Sequence, residues 1–451
     1  MVRFGTSIYG FTRMLQGNSR AAPNIVIVIC HDLGQHVGCY GTPDVRSPHI
    51  DGFAASGMRF ENSFCTAPQC SPSRAALWTG RYPHANGVVG LTQGDFSNDL
   101  NPDEKHFAEI LRDAGYDTHL FCVQHEARTP ERCGYNTNHG RGICTDIATR
   151  FVDFIGRRVS TDPPFFAQIG FIEPHRPFTY EGIEPLPPEA MTVPPYLPDI
   201  PEVREDLVDL EATVAYADQA FGRILDAIRT SFLAEDTIVL FTADHGLPVP
   251  RAKMTLYDPG IEVPLIMAGP GVPGGVTYSE MISNVDVLPT LLDLLRVPHP
   301  PNLHGRSFAG LIRGEAYRPN ETIFAEKTYH IYYDPMRAIR TNRWKLIANF
   351  ECAPWQECAL DYFNNDKTYV EVAKALDIPS GRQCHPPFEL YDLQNDPHEQ
   401  QDLTHDPIHQ ETRDELIRSL RKWMEDTADP LLAGPMGQGA YRQRMADFKR
   451  I

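Results

Sequence analysis

Asn24-Ile25-Val26-Ile27-Val28-Ile29-Cys30-His31-Asp32-Leu33-Gly34 begins as an unbroken β-branched run and ends on a histidine, an aspartate and a glycine. A strand that is apolar on both faces has to be covered on both faces, which is the situation of a parallel strand inside an α/β sheet. Comparable runs recur at Thr118–Val123, Pro164–Ile172, Thr237–Ala243, Val263–Met267 and Thr322–Ala325. Helical patterns lie between them: Glu104–Ala114 puts Phe107, Ile110, Leu111 and Ala114 on one face, and Leu207–Arg229 and Asp286–Val297 repeat the period. This alternation predicts an α/β fold with a mainly parallel sheet flanked by helices. After about Tyr333 the pattern changes. A hairpin (Arg337–Thr341 and Trp344–Phe350 across Asn342-Arg343), a strand at Glu389–Leu393 and a helix at Arg413–Thr427 predict a smaller α+β domain with an antiparallel sheet. We therefore expect a large domain over residues 22–335 and a small one over 336–451.

The chain has 451 residues, 42% apolar and 22% charged, enough to bury a large core. Its net charge of −18 leaves no basic stripe, which argues against a nucleic-acid partner. It also means that an anionic substrate has to be held by a local cationic site against the field of the whole protein. The longest apolar runs are too short to span a bilayer, so no membrane association is expected. Met1–Arg20 lacks a continuous apolar core and a clear cleavage site, and the expectation is a cytoplasmic protein without a signal peptide. Ten cysteines, among them Cys122, Cys133 and Cys144 and the group Cys352, Cys358 and Cys384, include no C-x-x-C pair. In a cytosolic protein they are expected to be free thiols.

Ligands of open α/β sheets bind beyond the carboxyl ends of the strands. Four of the strands end in chemically useful residues: His31-Asp32, Gln124-His125, Glu173-Pro174-His175 and Asp244-His245. One such end is ordinarily a cap or a turn; four in one sheet point to a site. The two His/Asp pairs have the residue types of a divalent-metal centre that polarises an oxyanion, and Lys253 adds a cation shortly after the second pair. To these the chain adds Cys70-Ser71-Pro72-Ser73-Arg74-Ala75-Ala76-Leu77-Trp78-Thr79-Gly80-Arg81. Ser71 is expected to N-cap a helix that has Pro72 in its first turn and Gly80 at its end. Cys70 then lies at a helix mouth that favours anions, and Arg74, one turn on, can fold over the same spot.

This last unit resembles the type I (formylglycine-dependent) sulfatase signature, C-x-P-S-R followed by L-x-T-G-R, and the likeness continues along nearly the whole chain. Asn24–Gly34 resembles the family's opening strand and metal motif, Ser47–Asp51 its P-x-I/L-D turn, and Thr242–Gly246 its second metal motif. Lys253–Gly260 resembles the K-x-x-L-Y-x-x-G segment, and Glu389–Leu393 with Asp396–Glu399 the C-terminal E-L-Y-D-L…D-P-x-E signature. Among sulfatases, Asn86–Leu91, Glu173–Arg176 and Asp334–Arg337 look most like the heparan N-sulfatase (sulfamidase) branch. The resemblance implies an alkaline-phosphatase-like fold and hydrolysis of a sulfate ester or sulfamate, with a sugar as a candidate carrier. It implies that a maturase oxidises Cys70 to formylglycine. One hydroxyl of its hydrate attacks sulfur, and loss of the second hydroxyl's proton expels sulfate. Arg74 would orient the hydrate and pair with sulfate oxygens, His125 would assist the nucleophile, and His175 and Lys253 would serve the leaving group. The implied metal ligands are His31, Asp32, Cys70, Asp244 and His245.

Three positions depart from the family pattern. His31 stands where an aspartate is usual, His245 where an asparagine is usual, and Val123 where a lysine is usual; Arg128 or Arg176 is then the candidate replacement cation. Calcium is the family's usual ion, but two imidazoles make manganese, zinc or iron candidates too. The histidine after the second metal aspartate resembles phosphonate monoester hydrolases and choline sulfatases, so a phosphonate or phosphodiester substrate stays open. So does a non-catalytic, oxyanion-binding relative. The expected partners are a small anionic sulfated substrate and the formylglycine-generating maturase, and a homo-oligomer is compatible with the sequence. The Pro-rich stretch Pro185–Pro201 is expected to be a loop near the mouth of the site.

Overall fold

The computed structural model describes residues 22–330, 332–352, 371, 374–375, 385–437 and 439–449. Strand β1 (Asn24–Cys30) is buried along its whole length. Ile25, Ile27 and Ile29 enter one apolar core while Val26, Val28 and Cys30 enter another, so the run is apolar at every position because each face has its own cover. In chain order there follow β2 (Met58–Phe60), β3 (Ser63–Phe64), β4 (Asp117–Cys122), β5 (Thr137–Asn138), β6 (Phe165–Gly170), β7 (Thr237–Ala243), β8 (Leu265–Ala268), β9 (Val276–Tyr278) and β10 (Ile282–Ser283). The main sheet has the order β5-β4-β6-β1-β7-β8-β2-β9, and β3 and β10 form a separate pair. From β5 to β7 the pairings are parallel, and β8 runs antiparallel to both β7 and β2. Helices Cys144–Arg157 and Pro201–Arg229 cover the core that takes Val26, Val28 and Cys30, and Cys70–Thr79, Phe107–Asp113 and Val287–Leu295 cover the one that takes Ile25, Ile27 and Ile29. This is the expected α/β architecture.

The expected antiparallel sheet is also present: β11 (Thr322–Tyr329), β12 (Tyr333–Thr341), β13 (Trp344–Asn349) and β14 (Phe388–Asp392) form a four-stranded meander in sequence order. The helix Gln410–Asp426 buries Leu416, Leu420, Trp423 and Met424 against it. Trp423 stacks on Phe324 at 4.8 Å and meets Tyr82 edge-on at 4.9 Å, tying this sheet to the segment that follows the Cys70 helix.

Several local expectations need correcting. Thr322–Ala325, read as one more strand of the first alternation, opens the second sheet, so residues 322–335 supply its edge strand and the start of the next. The Cys70 helix begins two residues earlier than expected, with extended Gln69 rather than Ser71 at its N-cap. Ser71 lies inside the first turn, and its hydroxyl is engaged by Thr92. Seven cysteines are free thiols as expected, but Cys352 is disulfide-bonded. Cys358, Cys384 and the N-terminal segment read for a signal peptide lie outside the described residues. Among the described residues no helix is long and apolar enough to cross a membrane.

Candidate active site

The sheet order explains why residues so far apart in sequence meet. β1 lies between β6 and β7, so the turns after these three strands emerge side by side. The Asp244 N–H donates to the Cys30 carbonyl at 3.2 Å, and the His31 N–H donates to the Glu173 carbonyl at 3.2 Å. β4 follows β6 in the sheet and delivers His125 to the same rim. Asp32 has the left-handed φ of 55°, which turns its backbone N–H onto Asp244 Oδ1 at 2.9 Å. Aspartate tolerates that conformation better than most residues, and such outliers cluster at functional sites. Behind it the loops pack closely: a Cβ on Gly246 would lie 1.8 Å from the Pro259 carbonyl oxygen, so only glycine fits directly after His245.

The helix Cys70–Thr79 points its N-terminus at this rim, and all ten of its residues are buried. Ser73 Oγ donates to the Asp244 carbonyl oxygen, and Asn284 Nδ2 donates to the Ser73 carbonyl at 3.1 Å while Asn284 Oδ1 accepts from the Thr66 N–H at 3.1 Å. Gly80 ends the helix in the left-handed region at φ 64°. Cys70 is thereby fixed in the first turn, and its Sγ is 3.4 Å from His245 Nε2.

Two carboxylates organise the centre. Asp32 Oδ1 is 2.9 Å from His31 Nδ1 and 3.1 Å from His245 Nε2. Its Oδ2 takes the Lys253 ammonium at 2.7 Å and lies 3.7 Å from His175 Nε2. Asp244 Oδ2 is 3.2 Å from His31 Nδ1 and accepts from Arg74 Nε at 2.9 Å. Arg74 is fully buried, and its Nη1 and Nη2 have no hydrogen-bond partner among the described residues. His31 Nε2 in turn is 3.3 Å from His125 Nδ1.

Burial pushes the acidic groups up, but the surrounding cations prevail. Lys253, His175 and His245 hold Asp32 well below the usual carboxylate range, and His31, His245 and Arg74 hold Asp244 down. The same competition holds the Cys70 thiol well below its ordinary value, through His31, Lys253, His245 and a hydrogen bond with His125. Burial opposes the charge of His31, yet Asp244 and Cys70 raise it to about 9, whereas burial keeps His125 neutral by lowering it to about 4.

All the residues expected to act together from sequence are thus in one place: Cys70, Arg74, His125, His175 and Lys253 around His31, Asp32, Asp244 and His245. The two candidates for the cation absent at Val123 are engaged elsewhere or outward. Arg176 pairs with Asp206 and donates to the Pro248 carbonyl at 3.3 Å, and Arg128 is exposed with its N–H on Asp99. Several supporting residues escaped sequence reading. Ser73 and Asn284 brace the helix from positions 211 residues apart. Glu126 is buried behind Arg74 and accepts from Gln168 Nε2 at 2.7 Å. Nothing in the local sequence around Asn284 or Gln168 separates them from ordinary polar core residues.

The donor set fits a divalent cation. Ligating atoms of His31, Asp32, Cys70, Asp244 and His245 all lie within 4.8 Å of one another. Their nearest spacings, 2.9 to 3.2 Å, match neighbouring ligands about 3 Å apart around an ion with bonds of about 2.1 Å. His245 Nδ1–H donates to the Gly246 carbonyl at 3.0 Å, which leaves the Nε2 lone pair for the ion, an orientation typical of ligating histidines.

Comparison with known proteins agrees with this arrangement. The family model described as Sulfatase matches residues 23–297, and the one described as "N-sulphoglucosamine sulphohydrolase, C-terminal" matches residues 250–371. The human protein N-sulphoglucosamine sulphohydrolase is 27% identical over 480 residues, covering 94% of each chain. Among solved structures, BT4656 in complex with its substrate D-glucosamine-2-N,6-O-disulfate has a TM-score of 0.70 at 19% identity, covering 92% of this chain and 99% of that one. The phosphonate monoester hydrolase of Agrobacterium radiobacter has a TM-score of 0.68 at 19% identity, covering 91% and 97%. At these identities the structural likenesses show a shared fold. With more than half its length matched by the family model and the motif residues gathered at one sheet rim, this chain belongs to the sulfatase family.

Proposed function

We propose that this chain hydrolyses the sulfate ester or sulfamate of a sulfated sugar, using a formylglycine that a maturase makes from Cys70 and one divalent metal ion. The observation that carries the reading is the setting of Cys70. It opens a buried helix, faces the two carboxylates and two imidazoles of a metal-type centre, and has Arg74, His125 and Lys253 about it. The likeness to human N-sulphoglucosamine sulphohydrolase supports a sulfamate, and the neighbour bound to a glucosamine disulfate supports a sugar carrier.

His31, Asp32, Asp244 and His245 would hold the ion, which supplies positive charge to a sulfate oxygen. The formylglycine hydrate supplies an attacking hydroxyl and, through its second hydroxyl, the electron pair that later releases sulfate and restores the aldehyde. Arg74 is anchored through Nε on Asp244, so both its Nη groups are available to the oxyanion. His125, neutral at pH 7 and within reach of Cys70, accepts the proton of the attacking hydroxyl. His175 has 27% of its side chain exposed and hands a proton to the leaving oxygen or nitrogen at the mouth of the site. Lys253 holds the oxygen of Asp32 that faces His175.

Two departures from the family pattern favour a second reading. Val123 leaves the sulfate-facing side one cation short of the family pattern, and His245 resembles phosphonate monoester hydrolases, so a phosphonate or phosphodiester is the alternative substrate. The test is mass analysis of the Cys70 peptide after co-expression with a maturase, together with turnover of a glucosamine N-sulfate. We expect an aldehyde at position 70 and an inactive but folded Cys70→Ala variant. Undiminished turnover by Cys70→Ala would overturn the proposal.

A further inference from the structure

A cavity of about 380 Å³ opens beside the catalytic loops, between the turn after β1 and the Pro-rich segment. Gly34, His36, Tyr40, Tyr196, Leu247 and Glu262 are among its walls. His36 is only 9% exposed, and neither its ring nor the Glu262 carboxyl makes a hydrogen bond or ion pair with any described residue. No lysine or arginine lines the space. The other acidic wall residue, Asp258, is already neutralised by Arg340 at 2.8 Å and Lys345 at 2.5 Å. A carboxyl with no ion-pair partner in contact, set beside Tyr40 and Tyr196 in a site of this size, is a receptor for an organic cation.

We propose that this cavity binds a small organic ammonium ion of monosaccharide size, with its charge on Glu262 and its body against Tyr40 and Tyr196. A metal ion suits the site less well, because Glu262 belongs to no cluster of three ligating side chains among the described residues. The inference stands apart from the proposed reaction, since none of these side chains belongs to the catalytic set.

The surroundings of Glu262 give the binding a proton signature. Burial and the charges of Asp258 and Glu399 raise it to about 8, against the opposing pull of Arg340 and Lys345. His36 is neutral, lowered to about 4 by burial with only Asp44 opposing, and Tyr40, Tyr196, Asp258 and His398 are the other titratable walls. At pH 7 the carboxyl therefore keeps its proton, and a bound ammonium ion must displace it. Binding releases about one proton and strengthens as the pH rises toward 8.

The experiment is titration calorimetry of the full chain with glucosamine and with glucose, which differ in an ammonium for a hydroxyl, in phosphate and in HEPES at pH 7. We expect glucosamine to bind at least tenfold more tightly than glucose, with a buffer-dependent heat equal to about one released proton. Glu262→Gln, checked for an unchanged melting temperature at pH 5, should lose about 10- to 100-fold in affinity for glucosamine. Equal binding of the two sugars, no binding of glucosamine, or undiminished binding by Glu262→Gln would each overturn the proposal; the last is the outcome expected if glucosamine occupies the catalytic centre instead.

Discussion

Replacing Arg74 with lysine isolates what the guanidinium fork contributes. Arg74 is fully buried, its Nε is committed to Asp244 at 2.9 Å, and its two Nη groups have no partner among the described residues. A lysine keeps a cation for Asp244 and for the nearby Glu126, so the fold should survive with little loss of melting temperature. It offers no second donor to an oxyanion. Removing one preorganised donor from such a site costs about 2.7–4 kcal/mol in the transition state, so kcat/KM should fall by about 10²–10³. The assay is steady-state hydrolysis of a sulfamate, with each rate divided by the fraction of Cys70 found as formylglycine, because Arg74 lies in the stretch that resembles the family's signature around the modified cysteine. A loss below tenfold after that correction would show that the Nη groups do not meet the reacting oxyanion.

His31→Asp should shift metal retained after dialysis toward calcium, read by elemental analysis; an unchanged metal profile would place His31 outside the ion's shell. Gly246→Ala should unsettle the loop bearing His245, lowering soluble yield and melting temperature, since its Cβ would meet the Pro259 carbonyl oxygen at 1.8 Å. Trp423→Ala should cost about 3–5 kcal/mol in denaturant unfolding, because the ring is buried between Phe324 and Tyr82. Glu262 has a folded-state value raised to about 8, so the stability tied to its proton is complete below about pH 4.5 and lost as the pH rises through 8. Glu262→Gln should remove that part of the decline, and melting curves from pH 5 to 8 that run parallel in the two proteins would contradict it.

The strands that carry the site were legible because each is short, apolar on both faces and stopped by polar chemistry: Asn24–Cys30 before His31 and Thr237–Ala243 before Asp244. A buried parallel strand announces itself locally, and the sheet order then brings the polar ends together. What depended on distant partners was hidden. Ser71 reads as an N-cap until Thr92 engages its hydroxyl, and Thr322–Ala325 reads as one more buried strand until its antiparallel partner β12 is known. Glu126, Gln168 and Asn284 gain their roles only through contacts across tens to hundreds of residues. Cys352 carries no local mark of its disulfide. The three departures at His31, Val123 and His245 were visible at once, since each replaces an expected charge type at a fixed motif position.

Because those departures touch the transferred group, one measurement is decisive. It is kcat/KM on matched aryl sulfate, sulfamate, phosphonate and phosphodiester substrates, using protein co-expressed with a maturase and with its metal content determined. The enzyme should show a clear preference for the sulfate ester or sulfamate, abolished in Cys70→Ala. A preference for the phosphonate or phosphodiester would contradict this and would mean that His31, Val123 and His245 mark a change in the transferred group.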